Sequence, residues 1–330
     1  KILLVILAIF LCVAFYELLG ICVAYKKQPE VSNTTKKETK NGSWNECSEN
    51  TERAVIIEKN PEALLQRVRL IKNAKKEIIL STFAFQSDES GKLILGALHD
   101  AADRGVHIRL LVDGMESWID MEGNPYFYGL SSHENVEIKL YNKANPLKPW
   151  KMMGRMHDKY LIADGKRYIL GGRNTYNYFL GDFPGHKNYD RDVLVVCDEP
   201  EKENSVNQLL EYFETIWEQE DSGYFHDNKK LANRKSVKNA VLELQNGYQK
   251  YFEENKERIC DTDYTDETFE TEKIALVSNP IHTGSKEPVV WYQLGELMKN
   301  AKNRVKIHTP YIICNDMMYN TWEEIAENVS

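Results

Sequence analysis

The sequence lacks the marks of several function classes. None of its six cysteines forms a CxxC pair: Cys12 and Cys22 fall in an apolar stretch and read as small hydrophobes, and Cys47, Cys197, Cys260 and Cys314 are scattered. Metal-binding cysteines come in close pairs, so a zinc site is not expected. A Cys47–Cys260 disulfide is open to a domain outside the cytoplasm, but nothing in the sequence requires it. Positive charge is also short. Lys and Arg total 42 against 50 Asp and Glu, a net charge of -8. Proteins that hold nucleic-acid backbones usually carry a basic face and often a basic total. The acidic balance argues against a nucleic-acid partner, though not against a local basic groove.

Residues 2–25 are almost wholly apolar, Glu17 being the single charge, and Lys26 and Lys27 follow at once. At 1.5 Å per residue, a helix of about 24 residues is roughly 36 Å long, enough to cross a bilayer. A cleaved signal peptide would have a shorter apolar core followed by small residues at a cleavage site, and no such site is visible. The segment therefore reads as a retained single-pass anchor, with Glu17 facing a partner helix, snorkelling or protonated. The first residue is Lys rather than Met, so the natural start is expected upstream. The basic flank favours the cytoplasm for its side, but orientation stays open without the preceding residues.

Residues 26–53 are rich in Ser, Thr, Asn, Lys and Glu, the composition of a solvated linker. A globular pattern begins at residue 54. Asn60 followed by Pro61 predicts an N-cap and a proline at the first helical position, and Leu64, Leu65, Val68 and Ile71 follow at helical spacing. Residues 77–82 (EIILST) read as a strand, 93–104 as a helix and 107–113 as a buried strand. Strand, helix, strand in that order points to an α/β layer fold. Residues 70–82 (LIKNAKKEIILST) and 297–309 (LMKNAKNRVKIHT) share a helix end, the tetrapeptide KNAK and a strand ending in Thr. The repeat points to a duplicated half-domain. The second copy's counterpart of the chemistry below would fall past Ser330, so the chain is expected to hold one full half and the start of another. Between the copies, residues 200–272 are acidic and mostly helical, and Leu209, Leu210, Phe213, Ile216 and Trp217 form an apolar stripe expected to pack on the sheet. The expected organisation is thus 1–25 transmembrane anchor, 26–53 polar linker, 54–220 first half-domain, 221–272 acidic helical connector and 273–330 start of the second half-domain.

Of eight histidines, only His157 sits in a dense polar constellation, GRMHDKYLIADGKRYILGGRN from Gly154 to Asn174. Alternate residues of a strand share a face, which would set His157 beside Lys159. Asp164-Gly165 predicts a hairpin turn. The return strand, 168–170, would deliver Gly171, Gly172 and Asn174 to the same mouth, the glycines letting the backbone approach a ligand. Imidazole can form a covalent intermediate near neutral pH. Lys159 offers a point charge suited to phosphate, and Asn174 offers amide donors. Phosphoryl transfer needs an in-line nucleophile and donors that neutralise spreading negative charge. This set supplies both with no metal and no cofactor. His99, His107, His133, His186, His226 and His282 read as ordinary surface or core residues, and Asp164 alone is turn chemistry. Residues 141–156 (YNKANPLKPWKMMGRM) are basic, with Trp150, Met152, Met153 and Met156 interleaved. They form either an interfacial loop or an ordinary loop with its apolar residues turned inward.

HxK, four residues, Asp, six residues, then Gly-Gly-x-Asn resembles the HKD motif of the phospholipase D superfamily, and the longer run from Gly154 to Asn174 resembles bacterial cardiolipin synthases. The resemblance covers residues 54–217 and resumes at 272, where His308-Thr-Pro-Tyr311 looks like the opening strand of a second half-domain. It does not cover the anchor or linker. Gly172 departs from the pattern, many members having Ser there, which puts one hydroxyl contact in doubt. The resemblance implies an α/β/α sandwich with a mixed sheet, duplicated halves and an active site between them, one motif from each. It implies that His157 becomes a phosphohistidine and that a second motif's histidine protonates the leaving alcohol and then activates the acceptor. Lys159 and Asn174 would hold the phosphate oxygens, and Asp164 would support the loop. A carboxylate after the motif would orient the imidazole; Asp192 matches that position best, with Asp190 as fallback. The implied function is a membrane-anchored phosphatidyltransferase of the cardiolipin synthase type, acting on phosphatidylglycerol at a bacterial plasma membrane, with a homodimer completing the site if the second motif is absent. The alternatives are a phospholipase D or nuclease-type phosphodiesterase using water at the same site, and a membrane-tethered binding protein with a dead site.

Overall fold

The computed structural model describes residues 1–26, 28–42, 52–197, 204–226, 228–309 and 311–328. The strands are β1 (Glu52–Ile57), β2 (Glu77–Thr82), β3 (His107–Asp113), β4 (Val136–Tyr141), β5 (Tyr160–Ala163), β6 (Arg167–Gly171), β7 (Asp192–Cys197), β8 (Ser222–Tyr224) and β9 (Phe269–Glu270). The helices are α1 (Ile2–Ala24), α2 (Asn33–Asn41), α3 (Asn60–Asn73), α4 (Glu89–Asp103), α5 (Gly114–Asp120), α6 (Pro125–Ser131), α7 (Ser205–Trp217), α8 (Lys235–Glu254), α9 (Lys256–Cys260), α10 (Val289–Lys299) and α11 (Asp316–Asn328).

One mixed sheet runs in the order β8-β4-β3-β2-β5-β6-β7-β1-β9. β2, β3 and β4 are parallel and are joined through helices, as parallel neighbours require. From β2 outward through β5, β6, β7 and β1 every pairing is antiparallel. The period of two along each strand sorts the core. Ile78, Leu80, Ile108, Leu110 and Leu161 pack under α3, α4, α6 and α8. Ile79, Leu111, Tyr160, Ile162 and Val195 face Leu209, Phe213, Ile216 and Trp217 of α7, the stripe expected from the sequence. The result is an α/β/α sandwich.

Four expectations shift. The cap of α3 is Lys59, not Asn60. Pro61 still occupies the first turn, and Asn60 instead donates to the Asn188 carbonyl and accepts from Arg173. Residues 221–272 are no mere connector. They supply both sheet edges, β8 on β4 and β9 on β1, and their α8 packs so closely on α4 that a Cβ at Gly96 would stand 2.7 Å from the Leu244 carbonyl oxygen. Sheet edges present unpaired backbone groups, so short strands from elsewhere are recruited to cover them. Within the expected linker, residues 33–41 fold as α2, capped by Ser32 and held by Glu287. In the second KNAK copy the helix forms as α10, but residues 301–309 form no strand and Ile307 is half exposed. A strand is stable only with a partner to pair with, and none stands beside this one among the described residues. Cys47, part of the linker, residues 200–203 and Pro310 lie outside the described residues; Cys260 is exposed.

α1 is long and apolar enough to cross a membrane. Its only partly covered residues are Glu17, Gly20, Ile21 and Ala24, one face at helical spacing. That face meets the loop after β4.

Candidate active site

The segment carrying His157 is placed by a buried carboxylate at the end of β3. Asp113 accepts from the amides of Met115 (3.0 Å) and Met156 (3.0 Å) and pairs with Arg155 at 3.0 Å. Arg155 donates onward to the Asn142 carbonyl. Asn142, with a φ of 50°, closes the base of the loop by donating its amide to the carbonyls of Lys151 (2.7 Å) and Gly154 (2.8 Å). A non-glycine residue with positive φ is uncommon, and Asn tolerates it best. The sequence reading did not single out Asp113, Asn142 or Arg155. Asp113-Gly114 ending a strand was the one visible hint.

His157 and Lys159 precede β5 rather than lying in it, because the last β2–β5 pair is Ser81–Tyr160. The lead-in is held on its other side, where the Gly171 amide donates to the Lys159 carbonyl at 3.1 Å. His157 and Lys159 flank Phe83: the imidazole and phenyl centroids are 4.7 Å apart, and Lys159 Nζ lies 5.3 Å from the ring centroid. Lys159 is buried and donates to the His157 carbonyl. Burial, and then the charge of Lys159, push His157 below its ordinary value, favouring the neutral ring. Burial drives Lys159 down to about 8, against the opposing pull of Asp158, Asp190 and Asp113. Asn174 is buried; its Oδ1 accepts from the Ala84 amide at 3.2 Å, which fixes the rotamer and leaves Nδ2 to donate elsewhere.

Gly171 and Gly172 make room for protein carboxylates rather than only for a ligand. A Cβ at Gly171 would stand 2.0 Å from Asp192 Oδ1, and one at Gly172 would stand 2.0 Å from Asp190 Oδ2. The intervening Arg173 points inward. It donates to Asn60 and to the carbonyls of Ile57, Glu58 and Asp190, buckling the motif to β1 and α3.

Asp192 is placed otherwise than expected. Its buried carboxylate pairs with Arg67 (3.0 Å) and Arg173 (3.2 Å), and it makes no contact with His157. Two guanidiniums hold it because a carboxylate this deep must be neutralised on the spot. Asp190 stands against Gly172 and within electrostatic reach of Lys159. Asp164 lies at the far end of the hairpin. Its φ is 55° and that of Gly165 is 62°, and its carboxylate accepts from the amides of Lys75, Lys76 and Glu77. By strand rise it is roughly 20 Å from His157.

A cavity of about 380 Å³ opens beside His157 and Lys159 and is walled by Leu209, Leu276 and Ile281. In it Tyr212 donates to Asp158 Oδ2 at 2.7 Å, and burial raises Asp158 and lowers Lys286. No cluster of three or more His, Cys, Asp or Glu side chains suited to a metal occurs among the described residues.

Residues 67–217 match the family model described as cardiolipin synthase, PLD-like domain. Over that segment, a little under half of the chain, it is similar to the phospholipase D superfamily. An uncharacterised protein of Helicobacter pylori (strain J99 / ATCC 700824) is 30% identical over 212 residues, 60% of this chain and 39% of that protein. Cardiolipin synthase C of Escherichia coli (strain K12) is 29% identical over 171 residues, 48% of this chain and 34% of that enzyme. The chain thus spans well under two thirds of the length of these curated relatives. In fold it resembles phosphatidylserine synthase of Haemophilus influenzae Rd KW20, with a TM-score of 0.59 at 16% identity, covering 89% of this chain and 64% of that one. His157 and Lys159 flank Phe83, and Asn174 accepts from the amide of the next residue, Ala84.

Proposed function

We propose that this chain is a phosphatidyltransferase of the cardiolipin synthase type, anchored in a bacterial plasma membrane by α1 and acting on phosphatidylglycerol. The observation that carries the reading is His157 and buried Lys159 flanking Phe83, with Asn174 fixed by the Ala84 amide and its Nδ2 left to donate. His157 attacks the phosphorus of a phosphatidylglycerol. A P–N bond forms, the bond to the glycerol oxygen breaks, and free glycerol leaves once an acid supplies its proton. The hydroxyl oxygen of a second phosphatidylglycerol then attacks the phosphorus, the P–N bond breaks, and the group that protonated glycerol, now a base, takes the hydroxyl proton, regenerating His157 and giving cardiolipin. Lys159 and Asn174 Nδ2 hold the non-bridging oxygens as charge spreads over them. Asp190 serves the site electrostatically, and Asp192 holds Arg67 and Arg173 in place beneath it. Asp164 anchors the hairpin. If water replaces the acceptor alcohol, the same residues hydrolyse the lipid to phosphatidic acid.

The covalent step is open to direct test. The protein is mixed with phosphatidylglycerol, quenched under alkaline conditions that spare phosphohistidine, digested, and read by mass spectrometry. A phosphatidyl adduct on the peptide bearing His157, absent from His157→Ala, is the expected result. An adduct on another residue would displace His157 from the role.

A further inference from the structure

The loop between β4 and His157 carries apolar side chains that the domain leaves bare. Leu147 is 77% exposed, Met153 57% and Trp150 45%. The loop is nonetheless fixed at its base, by Asn142 on the carbonyls of Lys151 and Gly154 and by Asp113 on Arg155. Large apolar groups held out on a braced loop mark a surface with an apolar partner.

α1 lies against this same loop. A Cβ at Gly20 would stand 2.5 Å from Pro149 Cγ, so only glycine permits the approach. The Tyr16 hydroxyl donates to the Leu147 carbonyl at 2.9 Å. Glu17, the one charge of the apolar segment, sits on the covered face with Gly20, Ile21 and Ala24. A charge in a membrane helix turns toward protein rather than acyl chains.

We propose that residues 143–153 enter the bilayer beside α1 and seat the catalytic domain on the lipid surface, an inference that rests on reading α1 as a membrane-spanning anchor. The depth follows from the helix rise. Gly20 and Tyr16 precede Ala24 by four and eight residues, so their contacts fall about 6 and 12 Å inside the helix end. The first lies near the boundary between headgroups and acyl chains, where Trp is enriched, and the second lies among the acyl chains, where apolar side chains insert. Of the loop's lysines, Lys151 pairs with Asp221 and Lys143 donates to the Tyr224 carbonyl, which leaves Lys148 to reach anionic headgroups. A cavity of about 410 Å³ opens at the helix exit between Tyr25, Met153 and Trp291, and it shares Asn279 and Lys286 with the cavity at His157. A bilayer lipid can therefore present its phosphodiester to His157 without leaving the membrane.

The test uses the whole chain in vesicles of phosphatidylcholine and phosphatidylglycerol whose acyl chains are brominated near the headgroup end. Tryptophan quenching is compared among the unaltered protein, Trp150→Phe and Gly20→Leu, with vesicle flotation as a control. The expected result is a quenched component that Trp150→Phe removes. Gly20→Leu should weaken that component while the protein still floats with the vesicles. Equal quenching of the unaltered protein and Trp150→Phe in floating vesicles overturns the insertion while leaving the anchor. Failure to float overturns both. Neither readout requires turnover, so loss of the phosphatidyltransferase reading would leave this result standing.

Discussion

At the residue scale, the proposed transfer needs His157 and Lys159 in opposite protonation states: the imidazole neutral to attack, the ammonium charged to hold phosphate. Burial lowers both, leaving a working window from below the ordinary histidine value to about 8. Measured on a short-chain phosphatidylglycerol, kcat/KM should rise as His157 loses its proton and fall as Lys159 loses its own near 8. A profile still climbing well above that point would contradict the assignment. Lys159→Met should lower kcat by about 10²–10³, the usual cost of removing one donor from a developing charge. The two aspartates should separate cleanly. Asp192→Asn breaks a buried network and should cost about 3–5 kcal/mol of stability, read as a fall in Tm. Asp190→Asn should leave Tm nearly unchanged and lower kcat. Loss of activity without destabilisation in Asp192→Asn would reverse the two roles. The sequence pointed to His157, Lys159 and Asn174 because reaction chemistry restricts residue type and spacing. Asp113 and Asn142 were not, because their value lies in what β3 and β4 bring beside them.

At the element scale, the β5–β6 hairpin is registered by Asp164, which satisfies three successive amides at the α3–β2 junction while holding positive φ. Asp164→Ala loses those bonds and strains the turn, so it should cost about 1–3 kcal/mol. Thermal unfolding should show this while activity well below Tm persists; an equal loss of activity in the cold would place Asp164 in the chemistry. β2 and β3 were readable to the residue, being mostly buried segments centred on Ile78, Ile79 and Leu80 and on Leu110, Leu111 and Val112 in helix-flanked contexts. β8 and β9 were not, since strands of three and two residues carry no period. The lead-in to β5 was read as strand because sequence alternation does not reveal where the partner strand turns away.

At the scale of the whole molecule, one sandwich presents a phospholipase D-like mouth on the same side as an apolar helix and an exposed apolar loop. The sequence legibly carried the apolar segment, the α/β/α class and the motif. It did not reveal that residues 221–272 close the first sheet, because that depends on which edges need covering. The central claim is transfer of a phosphatidyl group through His157. The most direct test incubates the protein and His157→Ala with phosphatidylglycerol vesicles in chelator and reads lipids and free glycerol by mass spectrometry. Cardiolipin and glycerol from the unaltered protein, with neither from His157→Ala, is the predicted result. Phosphatidic acid alone, no turnover, or undiminished cardiolipin from His157→Ala would contradict it.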